Sequence, residues 1–431
     1  MKARPPTARS VAASLLDAVL NHRRLLDDCF DADPAVAGLA ERDRAFARLL
    51  AATTLRRLGQ IDALIAACLD KKLPTKASGA LHALRLGVCQ LLFLDTAPHA
   101  AISTSVELLK HGPLAGYAGL VNAVLRRLDR EGRTLVAGQD AARLNTPDWM
   151  WMSWTRAYGE TTAREIATAH LSEAPTDIWV AGDPAIWAER LGAELLPTGS
   201  LRRRSPGEIT GLPGFAEGAW WIQDAAAALP ARLLGPVEGR RVVDLCAAPG
   251  GKALQLAAGG ARVTAVDRSA KRLGRLVANL ARLGLTAEIV EADATLWRPE
   301  QTFDAVLLDA PCSATGTLRR HPDGLWLKSP ADVTKMAALQ GRLLAAAAAL
   351  LEPGGTLVYC VCSLEPEEGI AQVEALLETA PLARRPIWPD EVGGLGELIT
   401  PDGDLRTLPC HLAERGGIDA FFAARLIRLS N

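Results

Sequence analysis

The sequence predicts an α/β catalytic domain built on a mostly parallel, doubly wound sheet, preceded by an all-helical bundle and a small α+β module. Three observations carry this expectation. Residues 9–130 repeat apolar side chains three and four apart throughout, the period of helices that bury one face. From about residue 236 short, near-continuously apolar strands alternate with helical stretches, the pattern of a parallel sheet covered on both faces. The 431 residues, 49% hydrophobic and 23% charged, suit two to four ordinary globular cores and exclude a disordered, collagenous or low-complexity chain.

In the first part, residues 1–135, the helical runs are VAASLLDAVL, RAFARLLAATTLRRL, ALHALRLGVCQLLFL and YAGLVNAVLRRL. Asp33-Pro34, Leu73-Pro74, Ala97-Pro98 and Gly112-Pro113 punctuate them. Thr75 and Ser103 are expected N-caps, and six or seven helices are expected to pack as a bundle. Residues 1–145 hold 20 Lys and Arg against 14 Asp and Glu, or +6, whereas the remainder balances to −7 and the whole chain to −1. The pairs Arg23/Arg24, Arg56/Arg57, Lys71/Lys72 and Arg126/Arg127 therefore suit an RNA backbone.

Residues 136–235 are read as the small α+β module. Pro147-Asp148 opens a helical stretch to about Leu171, and DIWVAG, EIT and AWWIQD read as short strands. The Trp-rich stretch between 149 and 221 could form a platform for bases; core packing is the favoured reading, because Trp is mostly buried. Arg202, Arg203 and Arg204 read as a solvated basic loop. In residues 236–431, RRVVDLC, ARVTAVD, AEIVEAD, FDAVLLDAP and GTLVYCVCS are strands, and four of the five carry Asp at or near their C-terminal ends. FFAARLIRL is expected to add a late antiparallel strand.

Ligands of such sheets sit beyond the carboxyl ends of the strands. The first strand runs into Asp244–Lys252, D-L-C-A-A-P-G-G-K, where Gly250 and Gly251 admit a close ligand and the following helix offers free N–H groups. Asp267, sixteen residues after Gly251, is placed for two ribose hydroxyls, and Asp293 for an adenine edge. The G-x-G-x-x-G spacing that a dinucleotide wants is absent, so a phosphate-free nucleoside, S-adenosylmethionine, fits better.

Asp309 and Cys312 follow the fourth strand, and Cys360 and Cys362 end the fifth. Neighbouring strands would bring Asp309, Cys312 and Cys362 to one rim, where a stabilised thiolate is an effective nucleophile and a carboxyl a general acid. At these residues the chain resembles the RsmB/Sun family of RNA (cytosine-5)-methyltransferases. The resemblance is carried by DLCAAPGGK, VDRSAKRLGRLVANLARLG, FDAVLLDAPCSATGTLRRHPD, GGTLVYCVCS with LEPEEG after it, and FFAARL. It covers nearly the whole chain, the N-terminal part looking like a NusB-type RNA-binding domain. The resemblance implies a Rossmann-like methyltransferase domain and a reaction at carbon 5 of an RNA cytosine, with 16S ribosomal RNA as the expected substrate. By the same matching, Cys362 is the nucleophile at carbon 6, Cys312 assists proton removal and release of the adduct, and Asp309 serves ring nitrogen 3. Cys246, Ala247, Ala248, Pro249, Gly250, Gly251 and Lys252 would line the cofactor with Asp267, Asp293 and Asp309. The chain departs from the family at Val361, where Thr is usual, and at Cys360, which on a strand would share a face with Cys362.

Other readings are weaker. A zinc site from Cys312, Cys360, Cys362 and His321 lacks the usual ligand spacing, and no metal is expected. Cys29, Cys68, Cys89 and Cys410 read as packing residues, and Arg319 and Arg320 as contacts to RNA phosphate or the target base. Alternatives are an RNA-binding assembly factor without activity, or methylation of another RNA such as tRNA. Lys2, Arg4 and Arg9 precede an apolar run that Asp17 interrupts, with no cleavage site after it. A soluble, cytoplasmic monomer with free thiols is expected.

Overall fold

The computed structural model describes residues 5–204 and 209–430. Lys2 and Arg4, and the Glu208 that opens the EIT run, lie outside them. The chain divides into two compact units. The first runs to Glu173 and takes in Leu318–Lys328; the second comprises Ala174–Thr317 and the chain from Ser329 onward.

In the first unit the helices Ala8–Leu20, Leu26–Ala32, Pro34–Ala37, Glu41–Arg56, Leu58–Ala67, Ser78–Leu92, Pro98–Glu107 and Ala118–Ala137 bury their apolar stripes in one core that includes Leu15, Leu50, Leu84 and Leu125. Thr7 and Ser10 close a capping box on the first helix. Pro34 and Pro98 open theirs, where a missing N–H costs nothing. The two expected caps differ. Thr75 begins a short 3-10 turn ahead of Ser78. Because Pro98 starts its helix earlier, Ser103 falls inside it and its hydroxyl bonds back to the Ala100 carbonyl at 3.4 Å.

Helices Asp148–Tyr158 and Glu160–Ala169 break at Gly159, φ 80°, and belong to this first unit. Residues 136–173 thus group with the bundle and not with the strands that follow. Leu318–Lys328 is packed here as well: Trp326 Nε1 donates to the Leu55 carbonyl at 2.8 Å, and Leu26 N donates to Asp323 Oδ2 at 3.0 Å. Arg319, expected to contact RNA, is instead withdrawn into this packing. It is buried, and Arg56 donates to its carbonyl at 2.9 Å.

The second unit contains two sheets. The smaller has the strands β1 (Thr176–Val180), β2 (Glu194–Leu195), β3 (Leu201–Arg203) and β4 (Trp220–Ile222), all antiparallel in the order β2-β3-β1-β4. Ile209 and Thr210, expected in a strand, lie outside these strands. Trp154 in the first unit and Trp220 and Trp221 here are buried, as core packing requires. Arg202 corrects the reading of a solvated basic loop: it lies on β3, fully buried, in a two-bond pair with Asp177 at 2.7 Å for each bond.

The larger sheet has β5 (Arg241–Leu245), β6 (Arg262–Asp267), β7 (Glu288–Glu291), β8 (Phe303–Asp309), β9 (Leu351–Val361), β10 (Leu382–Arg384), β11 (Leu405–Thr407) and β12 (Phe421–Arg428). Its order is β10-β12-β9-β8-β5-β6-β7, with β11 on β12. Strands β5 to β9 pair in parallel, and β12 returns antiparallel beside β9, the expected late strand. Helices including Ala270–Leu283 and Pro330–Ala349 form the crossovers. The chain leaves β5 toward β6 on one side and reaches β8 on the other, so the crevice beyond β5 and β8 is the switch point where ligands of such sheets bind. Among the described residues no helix is long and apolar enough to cross a membrane.

Candidate functional site

Asp244 is the last residue but one of β5, and its carboxylate is fully buried and has no hydrogen-bond partner among the described residues. Burial, with the Asp309 charge behind it, pushes its carboxyl well above the usual range. The chain then turns through Cys246, φ 63°, and Gly250, φ 118°, into helix Gly251–Ala258. A side chain at Gly250 would meet Leu276 Cδ1 at 2.4 Å, so close packing as well as φ demands glycine here.

Asp267, at the end of β6, braces this turn. Its Oδ2 accepts from Ala248 N at 3.1 Å and its Oδ1 from Ser269 N at 2.9 Å, while Arg272 bonds the Ala248 carbonyl. A cavity of about 80 Å³ opens beside it, lined by Cys246, Asp267, Arg272 and Asp293, with Pro311, Leu339 and Leu343 on its apolar side. Thr295 donates twice to Asp293 Oδ1, at 2.7 and 2.9 Å, and holds that carboxyl below its ordinary range. Acids at two strand ends facing an apolar wall fit the adenosine half of S-adenosylmethionine. Burial, with Asp267 behind it, pushes the Cys246 thiol up to about 12, so it stays protonated.

Beside the cavity lies a second cluster. Lys252 turns to Asp309, Nζ to Oδ2 at 2.7 Å, and lies 5.0 Å from the centre of the Phe421 ring. Burial is the largest single influence and works against its charge, but Asp309, Cys360 and Asp244 together outweigh burial and hold the ammonium above the ordinary lysine range. Cys360 pairs with Asp309 in the sheet register, and its thiol lies 3.5 Å from Oδ1. It is fully buried, and burial followed by the Asp309 charge raises its pKa. Cys360, which on a strand would share a face with Cys362, turns to Asp309, and β9 ends at Val361, one residue before Cys362. Cys362 instead faces Cys312, Sγ to Sγ 3.4 Å. The Cys362 sulfur and burial together raise the Cys312 thiol well above its usual value.

The structure thus gathers Asp309, Cys312, Cys362 and Lys252 at the ends of β8 and β9 and of the β5 turn. Cys246, Asp267 and Asp293 stand around the neighbouring cavity. His321 is not with them; it pairs with Asp27 in the first unit at 3.2 Å. Among the described residues no cluster of His, Cys, Asp or Glu is arranged to hold a metal. Sequence reasoning missed Arg272, Leu339 and Leu343, since a helical Leu pair four apart reads as core. It also missed Gly316, whose N–H bonds the Cys362 carbonyl at 3.0 Å and where a Cβ would sit 2.2 Å from the Ala420 carbonyl oxygen.

Comparison with known proteins bears on the family and the fold. The family described as 16S rRNA methyltransferase RsmB/F matches residues 231–427, and the NusB family matches residues 6–130. Ribosomal RNA small subunit methyltransferase B of Salmonella arizonae is 36% identical over 441 aligned positions, covering 97% of this chain and 98% of that protein. Among solved structures, PH0851 superposes with a TM-score of 0.72 at 22% identity, covering 99% of this chain and 100% of that one, a likeness of fold. A methyltransferase homologue from Pyrococcus horikoshii gives 0.57 at 27% identity over 67% of this chain and 98% of its own. With a helical part of NusB type ahead of a Rossmann-like sheet, and a relative 36% identical over 97% of its length, the chain belongs to the RsmB/F family of 16S rRNA methyltransferases.

Proposed function

We propose that the protein methylates carbon 5 of a cytosine in small-subunit ribosomal RNA through a covalent adduct with Cys362, and that it acts as a monomer. The observation that carries this reading is the pair of sulfurs 3.4 Å apart next to the Lys252–Asp309 pair. S-adenosylmethionine supplies an electrophilic methyl group. A cytosine ring carbon is too poor a nucleophile to take it unaided, so the protein must first saturate the bond between carbons 5 and 6.

Within the cysteine pair, Cys312 keeps its proton and Cys362 presents the sulfur that attacks carbon 6. Asp309, held by Lys252 on one oxygen and Cys360 on the other, acts as the general acid that gives ring nitrogen 3 a proton as carbon 6 is attacked, which steadies the electron-rich ring. After methylation a water takes the carbon-5 proton, the electron pair of that bond restores the double bond between carbons 5 and 6, and the bond from carbon 6 to Cys362 breaks with its pair on sulfur; the Cys312 thiol assists by donating a hydrogen bond to the leaving thiolate. Carbon 6 is inaccessible in a stacked pair, so the target must be single-stranded or turned out of its helix.

The test is transfer of tritiated methyl from S-adenosylmethionine to naked small-subunit ribosomal RNA, followed by mapping of 5-methylcytosine. A single labelled cytosine is expected. Label in another RNA such as tRNA would change the substrate, and cofactor binding without transfer to any RNA would favour a non-catalytic assembly role.

A further inference from the structure

The two cysteines face each other from separate loops, past the ends of β8 at Asp309 and β9 at Val361. Sheet pairing therefore stops short of both. Next to each cysteine stands a serine, and both serines turn to one carboxylate. Glu368 accepts from Ser313 N at 2.8 Å, from Ser313 Oγ and Ser363 Oγ at 2.5 Å each, and from Gln340 Nε2 at 3.2 Å. Its own carbonyl takes the Tyr359 hydroxyl at 2.5 Å. Glu368, Ser313 and Ser363 are all buried. Withdrawing a carboxylate from water is costly unless donors satisfy it; here three of the four donors belong to residues adjacent to the cysteines.

We propose that Glu368 is a positioning residue that fixes the separation of the Cys312 and Cys362 sulfurs by holding Ser313 and Ser363 on one carboxylate. For its consequence in turnover this rests on the catalytic reading above; the clamp itself does not depend on it. The same negative charge lies close enough to Cys312 to add to the effects of Cys362 and burial in keeping that thiol protonated. Glu368 touches neither substrate nor cofactor in this role and acts through the two serines.

The clamp can be tested without RNA. Diamide closes two thiols into a disulfide, its N=N bond taking up the two electrons and two protons, and the rate depends on how well the sulfurs are held together. The full chain is treated with diamide, and closure of the Cys312–Cys362 bond is followed by mass spectrometry of the linked peptides. Glu368→Gln and the double variant Ser313→Ala/Ser363→Ala are each expected to close about tenfold more slowly than wild type, the size of one lost hydrogen bond. Their methyl-transfer kcat should fall with KM for RNA unchanged. Closure at the wild-type rate in both variants overturns the proposal. Slowed closure alongside a wild-type protein that methylates no RNA would leave the clamp standing and sink the catalytic reading instead. Should Glu368→Gln fail to fold, Ser363→Ala alone decides: about threefold slowing is expected, for one weaker tether lost, and an unchanged rate overturns the clamp.

Discussion

Cys312 and Cys362 are fifty residues apart in the chain and 3.4 Å apart in the fold. Their division of labour is separable by mutation. Cys362→Ala is expected to abolish both methyl transfer and covalent capture of RNA. Cys312→Ala is expected to leave attack possible and impair release, so a protein–RNA adduct should accumulate on a denaturing gel. An adduct formed by Cys362→Ala and absent from Cys312→Ala would reverse the assignment. Asp309→Asn strips Lys252 of its charged partner and ring nitrogen 3 of its proton donor, and steady-state turnover should fall on the order of 10²- to 10⁴-fold. That these residues meet at one rim was legible from thiols and carboxylates at the ends of neighbouring strands, whereas which cysteine attacks is only what the family resemblance implies. Glu368 was not legible in the sequence. One of three glutamates in LEPEEG reads as a solvated turn, and only the buried serines around it show otherwise.

Individual elements carry their own tests. Gly250 combines a left-handed φ of 118° with Leu276 at the place of a Cβ. Gly250→Ala should therefore weaken S-adenosylmethionine binding about tenfold or more, from about 1–2 kcal/mol of backbone strain, measured by calorimetric titration. In the small sheet, Arg202 and Asp177 are wholly withdrawn from solvent, and burial raises the Asp177 carboxyl even against its partner. Arg202→Met leaves a buried carboxyl unpaired and should cost on the order of 3–5 kcal/mol in denaturant unfolding. The strands of the large sheet were legible as apolar runs ending in Asp. The caps at Thr75 and Ser103 were misread because a nearby proline fixes a helix start more firmly than a hydroxyl signals one. Arg202 was misread because three consecutive arginines look alike in a sequence, whereas a strand sends alternate side chains to opposite faces.

On the scale of the molecule, the two units answer to different variables. The first is the basic one, so its RNA affinity should fall linearly in log–log form with added salt, as filter binding would show. It also buries His170 against Trp154, 5.3 Å between ring centres, with neither ring nitrogen bonded among the described residues. Burial, then the charges of Arg319 and Arg56, push this imidazole down to about 3. Folded His170 therefore stays neutral where the unfolded residue gains a proton. Stability is intact above about pH 6.5 and lost as pH falls toward 3, by up to about 1.4 kcal/mol per pH unit from this group. His170→Phe keeps the ring contact and removes the proton site, so its melting temperature should vary less between pH 7 and 4.5 than wild type. An unchanged pH slope would rule His170 out as the cause.

Composition and periodicity were enough for the helical first part, the parallel sheet, the antiparallel last strand and the nucleoside-shaped turn after β5, because each is written in neighbouring residues at a fixed period. Tertiary structure alone decided where residues 136–173 and 318–328 belong, since a helical period in the first and a loop in the second read the same whichever core covers them. It alone turned Lys252 onto Asp309, sent Cys360 to the same carboxylate, and put Cys362 against Cys312 one residue past the end of β9. Those outcomes depend on which strands pair and where pairing stops, a balance of long-range contacts that no local window of the sequence contains.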